Sequence, residues 1–306
     1  MMNDKQLYDL INTEPPKDVL DEVRIILNMI SPNFDQTPVS QAFNTIVRLY
    51  EGKHPDFKAC NTEYHDLRHT IETFLAMARL LHGAQLNGEA FDEPHITLGL
   101  AAALFHDAGY IQEKHDREGT GAKYTVDHEH RSAHLLGRFG SEFGLSKEGI
   151  AMGRMMILGT DINIDLSTLT FPTDQVQLLC QMLTASDLMA QMADRSYLEK
   201  LLFLYHEFKE ANVIGYESEV DLLKKTVAFY QFVEKRLETI LDKADRFMTS
   251  HFVSRWNIQS NLYKEAMERQ KNYLQQILNI PDSDPREQLK RGGIVEKVRE
   301  KYKKSD

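Results

Sequence analysis

Cysteine is scarce: Cys60 and Cys180 are the only two in 306 residues, too few for a disulfide framework or a structural zinc knuckle. Cys180 lies in an apolar helical pattern, and both are expected to be packing residues. Long apolar runs are missing as well. The longest, LGLAAALF at 98–105, falls far short of the ~20 residues that a membrane span needs. The opening MMNDKQLYDLINTEPP has neither a basic n-region nor an apolar h-region, so nothing marks the chain for export and a cytoplasmic location is expected. Basic residues are in deficit, 36 against 46 acidic, for a formal net charge of -10. That balance disfavours a nucleic-acid binder, whose affinity rests largely on phosphate neutralisation. A small phosphorylated substrate stays open, because a metal supplies positive charge locally. Strand alternation and β-hairpin signals are absent, and so are internal repeats and low-complexity blocks.

What is present is helical periodicity in a chain that is 42% hydrophobic and 27% charged, the composition of a globular protein with ample core. The expected fold is therefore all-α. An N-terminal helical segment, 1–59, is interrupted at Glu14-Pro15-Pro16 and Ser31-Pro32 and ends near GKHPDF. A core follows over 60–210, then a C-terminal helical extension over 211–306, all in one continuous unit. Within the core a helix is expected from Leu67 to His82, with Gly83 as its stop. A second runs from Pro94 to Asp107, stopped by Gly109. Residues 111–126, polar and glycine-bearing, read as a mobile loop. Asp127 is placed to cap the helix HEHRSAHLLGRF, and further helices follow Ser146 and Asp174. Beyond Arg195, amphipathic helices are expected over 195–211, 218–243 and 245–279. Their aromatic residues read as packing, and the mixed-charge tail reads as a solvated helix or frayed end.

Chemistry enters where charge interrupts the apolar faces. In ALFHDAGY (103–110), His106 and Asp107 continue the inward lines of an apolar helix, where an unpaired ionisable group is expensive. In the helix after Asp174, the stripe Val176, Leu179, Cys180, Leu183 is continued by Asp187. His65 and His69, four apart at the start of another helix, can point the same way. A lone pair of this kind means little, and each charge alone reads as a satisfied polar group. Together, on three helices, they indicate a shared metal site. Imidazole and carboxylate donors without thiolate suit Mn, Mg, Ni, Zn or Fe.

The ordered set His69, His106-Asp107, Asp187 resembles the HD-domain metal-dependent phosphohydrolases. Within that superfamily the chain is most similar to the cyclic-nucleotide phosphodiesterase-like branch, through YHDLRH (64–69), MILGTDI (156–162) and LTASDLMAQM (183–192). The resemblance covers about residues 60–210. It implies that His69, His106, Asp107 and Asp187 hold one divalent ion, with Asp107 able to bridge to a second. It also implies that His65 is the general acid and that a metal-activated water attacks phosphorus. Two such cations lower the pKa of a shared water and hold the phosphoryl oxygens, leaving the departing alkoxide in need of a proton.

Glu129 and His130, in DHEHRSA, resemble a segment that in many HD proteins lies beside the second metal; the resemblance implies that Glu129 orients the water or supports the ligands, and His130 is preferred over His128 and His134. Asp161 is a further candidate for the second metal's surroundings. Tyr110 stands where the phosphodiesterases place a histidine, so the second ion's shell must differ here. No glutamine-aromatic pair of the kind that grips a nucleobase is recognisable. The expected function is hydrolysis of a small phosphate ester, nucleotide-like, diester ahead of monoester; self-association is left open. The alternatives are a non-catalytic metal- or nucleotide-binding regulatory module and, less favoured, a di-iron oxygenase or cyclic-di-GMP hydrolase. Those di-iron proteins need histidines that are missing between His134 and His206.

Overall fold

Apolar residues at helical spacing, punctuated by Pro, Gly and capping side chains, become twelve α-helices in the computed structural model, which describes residues 5–302. They are α1 (Pro16–Ile30), α2 (Thr37–Tyr50), α3 (Leu67–Leu86), α4 (Glu93–Phe105), α5 (His128–Phe139) and α6 (Lys147–Leu158). Then come α7 (Asp174–Ala193), α8 (Tyr197–Glu210), α9 (Glu219–Glu238), α10 (Phe247–Trp256), α11 (Leu262–Leu278) and α12 (Ile294–Tyr302). No β-strand occurs among the described residues, so the fold is all-α. No helix there is long and apolar enough to cross a membrane.

The sequence EPHITLGLAAALF is apolar on every side, and a helix of that kind has to be covered all round. Accordingly α4 is buried from Ile96 to Phe105 and packs between α3, α7, α6 and α2. Each of its large side chains contributes about 1.5–3 kcal/mol by leaving water. Gly99 lets α3 and α7 close in: a Cβ there would stand 2.7 Å from Met77 Cε and 3.3 Å from Leu179 Cδ2. Outside this trio, α1 and α10 flank α3, while α11 joins α7 to α9. The buried apolar cluster extends from Val19 to Val298.

Two local features bring the ends of this trio together. A short link joins α3 to α4, so the start of α3 lies beside the end of α4. Capping side chains fix the helix starts: Asp66 accepts from His69 N at 2.8 Å, Asp92 from His95 N at 2.9 Å and Thr173 from Val176 N at 3.2 Å. Such caps stabilise by about 1 kcal/mol each.

Several boundaries differ from the sequence reading. Helix α3 runs on to Leu86, and Gly83 is internal to it. The glycine serves packing there, because a Cβ would lie 1.9 Å from Phe247 O on α10. The single helix expected over 245–279 is two, parted after Trp256 by Asn257 in the left-handed region (φ 54°), with Asn261 capping α11. Helix α9 ends at Glu238, before the left-handed Asp242 and Lys243. Asp127 occupies the N-cap of α5, but its side chain makes no capping bond. The segment 111–126 is held by side-chain bonds: Asp116 takes Lys123 Nζ and Tyr124 Oη at 2.6 Å each, and Glu210 takes Thr120 Oγ1 at 2.7 Å. The tail forms α12, and its last residues, like the first four, lie outside the described ones.

Candidate metal centre

His69 sits in the first turn of α3, and His106 and Asp107 follow the last residue of α4. Among the described residues, these three each bring a donor atom within 4.8 Å of the other two. His69 Nε2 is 3.2 Å from both His106 Nε2 and Asp107 Oδ2, and His106 Nε2 is 3.3 Å from the same oxygen. Asp187 reaches in from α7, its Oδ1 at 3.1 Å from His69 Nε2 and 3.5 Å from His106 Nε2. Separations of this size are those of neighbouring donors around one ion with bonds of about 2.1 Å.

The hydrogen-bond network assigns the tautomers. His106 Nδ1 donates to Ala103 O at 2.8 Å, which leaves the lone pair of Nε2 facing the cluster. Asp107 Oδ2 is buried and has no hydrogen-bond partner. An inward lone pair beside an orphaned carboxylate oxygen is unfavourable unless a cation stands between them. The donor set therefore fits a divalent ion. Asp187 is steadied from behind: Gln191 Nε2 donates to its Oδ1 at 3.4 Å, and Tyr64 Oη donates to Gln191 Oε1 at 2.7 Å.

The electrostatics agree. Burial alone would depress the His69 imidazole, but the Asp107 and Asp187 carboxylates outweigh it and lift it to about 9. His106 is raised well above its usual range, again by Asp107 and Asp187 working against burial. Burial pushes the two aspartates up, yet the histidines hold both below the ordinary carboxylate range. Carboxylates that favour a proton on these imidazoles equally favour a metal cation, and the two compete for the same lone pairs.

A second cluster shares Asp107. His128, the first residue of α5, gives its Nδ1 proton to Thr125 O at 2.8 Å, and its Nε2 faces Asp107 Oδ1 at 3.5 Å. That too is a lone pair against a carboxylate oxygen. Burial first, then Asp161, Asp107 and Asp187, push the Glu129 carboxyl up to about 8. Gly109 brings α5 this close: a Cβ there would meet His128 O at 2.0 Å. Gly109 N donates to Ser132 Oγ at 2.8 Å, and Arg131 Nε donates to Gly109 O at 2.7 Å.

His65 faces the same opening, its ring 6.3 Å from that of His69 and 6.1 Å from that of His128. Its Nδ1 lies 2.7 Å from Glu207 Oε2, while Glu207 Oε1 accepts the backbone N–H groups of Glu63 and Tyr64 at 2.8 and 2.7 Å. Tyr110 is a spacer: its ring stacks on His65 (4.2 Å, 9°) and on His128 (4.6 Å, 28°), so it sets both imidazoles. The side chains of His65, His128, Glu129 and Asp187 are 13–15 % exposed and form the opening; His69, His106 and Asp107 lie beneath at 1–5 %.

The structure thus brings together His65, His69, His106, Asp107, Glu129 and Asp187. His130 is a correction. It is exposed, because two residues along a helix turn a side chain by about 200° and His128 takes the inward face. Asp161 stays at the rim, its Oδ1 engaged by Asn163 N at 2.8 Å. The sequence reading missed Glu207 altogether. The signal existed, since Glu207 continues the buried Phe203–Leu204 stripe of α8 just as Asp187 continues that of α7.

Fold and cluster define the class: an all-α protein with a buried His-His-Asp group able to hold a metal ion. A family model described as Npun_R2479-like matches residues 150–271, less than half of the chain. The matched stretch contains Asp187 and Glu207 but neither His69 nor His106-Asp107. No curated protein matches the sequence.

Proposed function

We propose that this chain is a metal-dependent phosphohydrolase of the HD type, acting on a small nucleotide-like phosphate ester, diester in preference to monoester. The observation that carries this reading is the convergence of His69 Nε2, His106 Nε2, Asp107 Oδ2 and Asp187 Oδ1 beneath an opening that His65 also faces. A divalent ion held by those four residues would acidify water and neutralise phosphoryl oxygens. Asp107 and His128, whose Oδ1 and Nε2 stand 3.5 Å apart, are the residues that would hold a second.

The chain's own residues supply the rest. His65, as imidazolium, gives its Nε2 proton to the leaving oxygen as the P–O bond breaks. Glu207 accepts the hydrogen bond of the other ring nitrogen, Nδ1–H, which fixes the ring's direction. Glu129 stands at the opening, where its carboxyl can hydrogen-bond to and orient water. Tyr110 keeps His65 and His128 at a fixed separation.

The test is a panel of aryl phosphomonoesters and phosphodiesters assayed with Mn, Mg, Ni, Zn and Fe. Turnover should need a metal and collapse in Asp107→Ala. Full activity in that variant would refute the reading.

A further inference from the structure

Glu210 is the last residue of α8, where a negative charge opposes the helix dipole at a cost of about 0.3–1 kcal/mol. Contacts outside the helix offset that placement. Its Oε2 accepts the Thr120 hydroxyl proton at 2.7 Å, and its Oε1 accepts the Thr120 backbone N–H, so one residue is gripped at two points by charge-assisted bonds. Gly119 lets the two segments come this close: its φ is 55°, and a Cβ there would stand 2.6 Å from Glu210 Oε1.

Thr120 leads into the second cluster. It is the N-cap of a short 3₁₀ turn, Gly121–Tyr124, and its Oγ1 accepts from Ala122 N at 3.1 Å. Gly121 seats that turn on the backbone of Tyr110, since a Cβ would lie 2.0 Å from Tyr110 O. The ring of Tyr110 is the one stacked on both His65 and His128. The turn ends at Thr125, whose hydroxyl and N–H both donate to Ala122 O, at 2.7 and 3.0 Å, and whose carbonyl accepts the His128 Nδ1 proton. Thr120 therefore reaches His128 by two routes, through the Tyr110 ring and through Thr125. Glu207, three residues before Glu210 and so its neighbour on the surface of α8, holds His65.

We propose that Glu210 is a positioning residue for His128. Helix α8 carries two acids a turn apart: Glu207 fixes His65, and Glu210, through Thr120, fixes the Tyr110–His128 pair. The helix thereby sets the distance between the proton donor and the residue that would hold the second ion. Its consequence for metal binding rests on the functional reading above, whereas the placing of the His128 ring is independent of it.

Histidine ring NMR of the isotope-labelled full chain tests the placing. The Nδ1–H resonance of His128 reports the bond to Thr125 O, and that of His106, bonded to Ala103 O, is the internal control. Glu210→Ala should shift or abolish the His128 signal and leave that of His106 in place, and Glu210→Gln, which keeps an acceptor for Thr120, should restore most of it. Thr120→Val removes only the hydroxyl bond and should displace the His128 signal less, in the same direction; it decides the matter should Glu210→Ala fail to fold. An unmoved His128 signal, or a His106 signal that moves with it, overturns the proposal. Equilibrium dialysis against graded Zn reads the consequence: Glu210→Ala should weaken uptake of a second equivalent about tenfold or more, with the first unchanged, and equal uptake of the second by wild type and variant overturns the proposal as well. A wild type that takes up no second equivalent would refute the two-ion part of the functional reading, and the resonances alone then decide the role of Glu210.

Discussion

Glu207 and His65 stand 142 residues apart in sequence and 2.7 Å apart in space. One carboxylate oxygen faces the imidazole Nδ1, and the other accepts the N–H groups of the two residues just before it. The ring and the backbone that carries it are thus fixed by one side chain, itself 4 % exposed on α8. A histidine held this way can turn only one nitrogen towards a substrate.

His65→Ala should therefore lower kcat by about 10²–10⁴-fold on esters with poor leaving groups. With a nitrophenyl leaving group, which departs without a proton, the loss should shrink to a few-fold, and bound metal should be unchanged. Glu207→Gln should cost about 10-fold or more through the ring's orientation. An equal loss on both esters would show that His65 is not the proton donor.

Metal content should follow the geometry. Asp107→Ala and His106→Ala are expected to lose the ion of the inner cluster, and Asp107→Ala any second ion as well. His128→Ala should leave the inner ion in place. Elemental analysis of purified proteins separates these outcomes. A chelator should lower the Tm of the wild type and leave that of Asp107→Ala unmoved, since an ion at 100 times its Kd stabilises the folded state by about 2.7 kcal/mol.

How much of this was legible beforehand follows from what leaves a local trace. The all-α class, the inward Asp187 and the placing of His106-Asp107 at a helix end all show in periodicity, because a charge that continues an apolar stripe stands out. Glu207 leaves the same trace, but its purpose appears only when α8 folds back on the turn before α3. His128 and His130 could not be separated, since which residue of a helix's first turn faces inward depends on how closely α5 approaches. Gly109 settles that approach, and its requirement is tertiary. Gly83 misled for the same reason: it reads as a helix stop, yet it is the contact with α10.

Gly109→Ala isolates that tertiary requirement. Its Cβ would stand 2.0 Å from His128 O and 2.9 Å from Arg131 Cβ, so the backbone of α5 has to move. Overpacking of this kind costs about 1–3 kcal/mol. The added effect should be selective. His128 is drawn away from Asp107, so the second ion should be lost at a metal concentration that still fills the inner cluster. Loss of both ions together would place the role of Gly109 in overall stability instead.

A last expectation concerns pH and the far side of α3. His82 and His251 meet Nδ1 to Nδ1 at 3.0 Å, which requires one bare nitrogen and one N–H. Burial, then Arg79, His82 and Arg255, hold the His251 imidazole well below its ordinary value, and burial with Arg255 lowers His82. Both groups are therefore depressed in the folded state, while the unfolded chain takes up the protons near pH ~6.5. The neutral pair's contribution is fully present above that pH and is lost as pH falls below it, by roughly 1.4 kcal/mol per unit for each histidine. Urea midpoints between pH 5 and 7.5 should show this slope in the wild type. The double variant His82→Leu/His251→Leu removes both partners at once and should flatten it, leaving what the other buried ionisable groups contribute. A slope unchanged in the double variant would mean that these histidines already titrate normally in the folded protein.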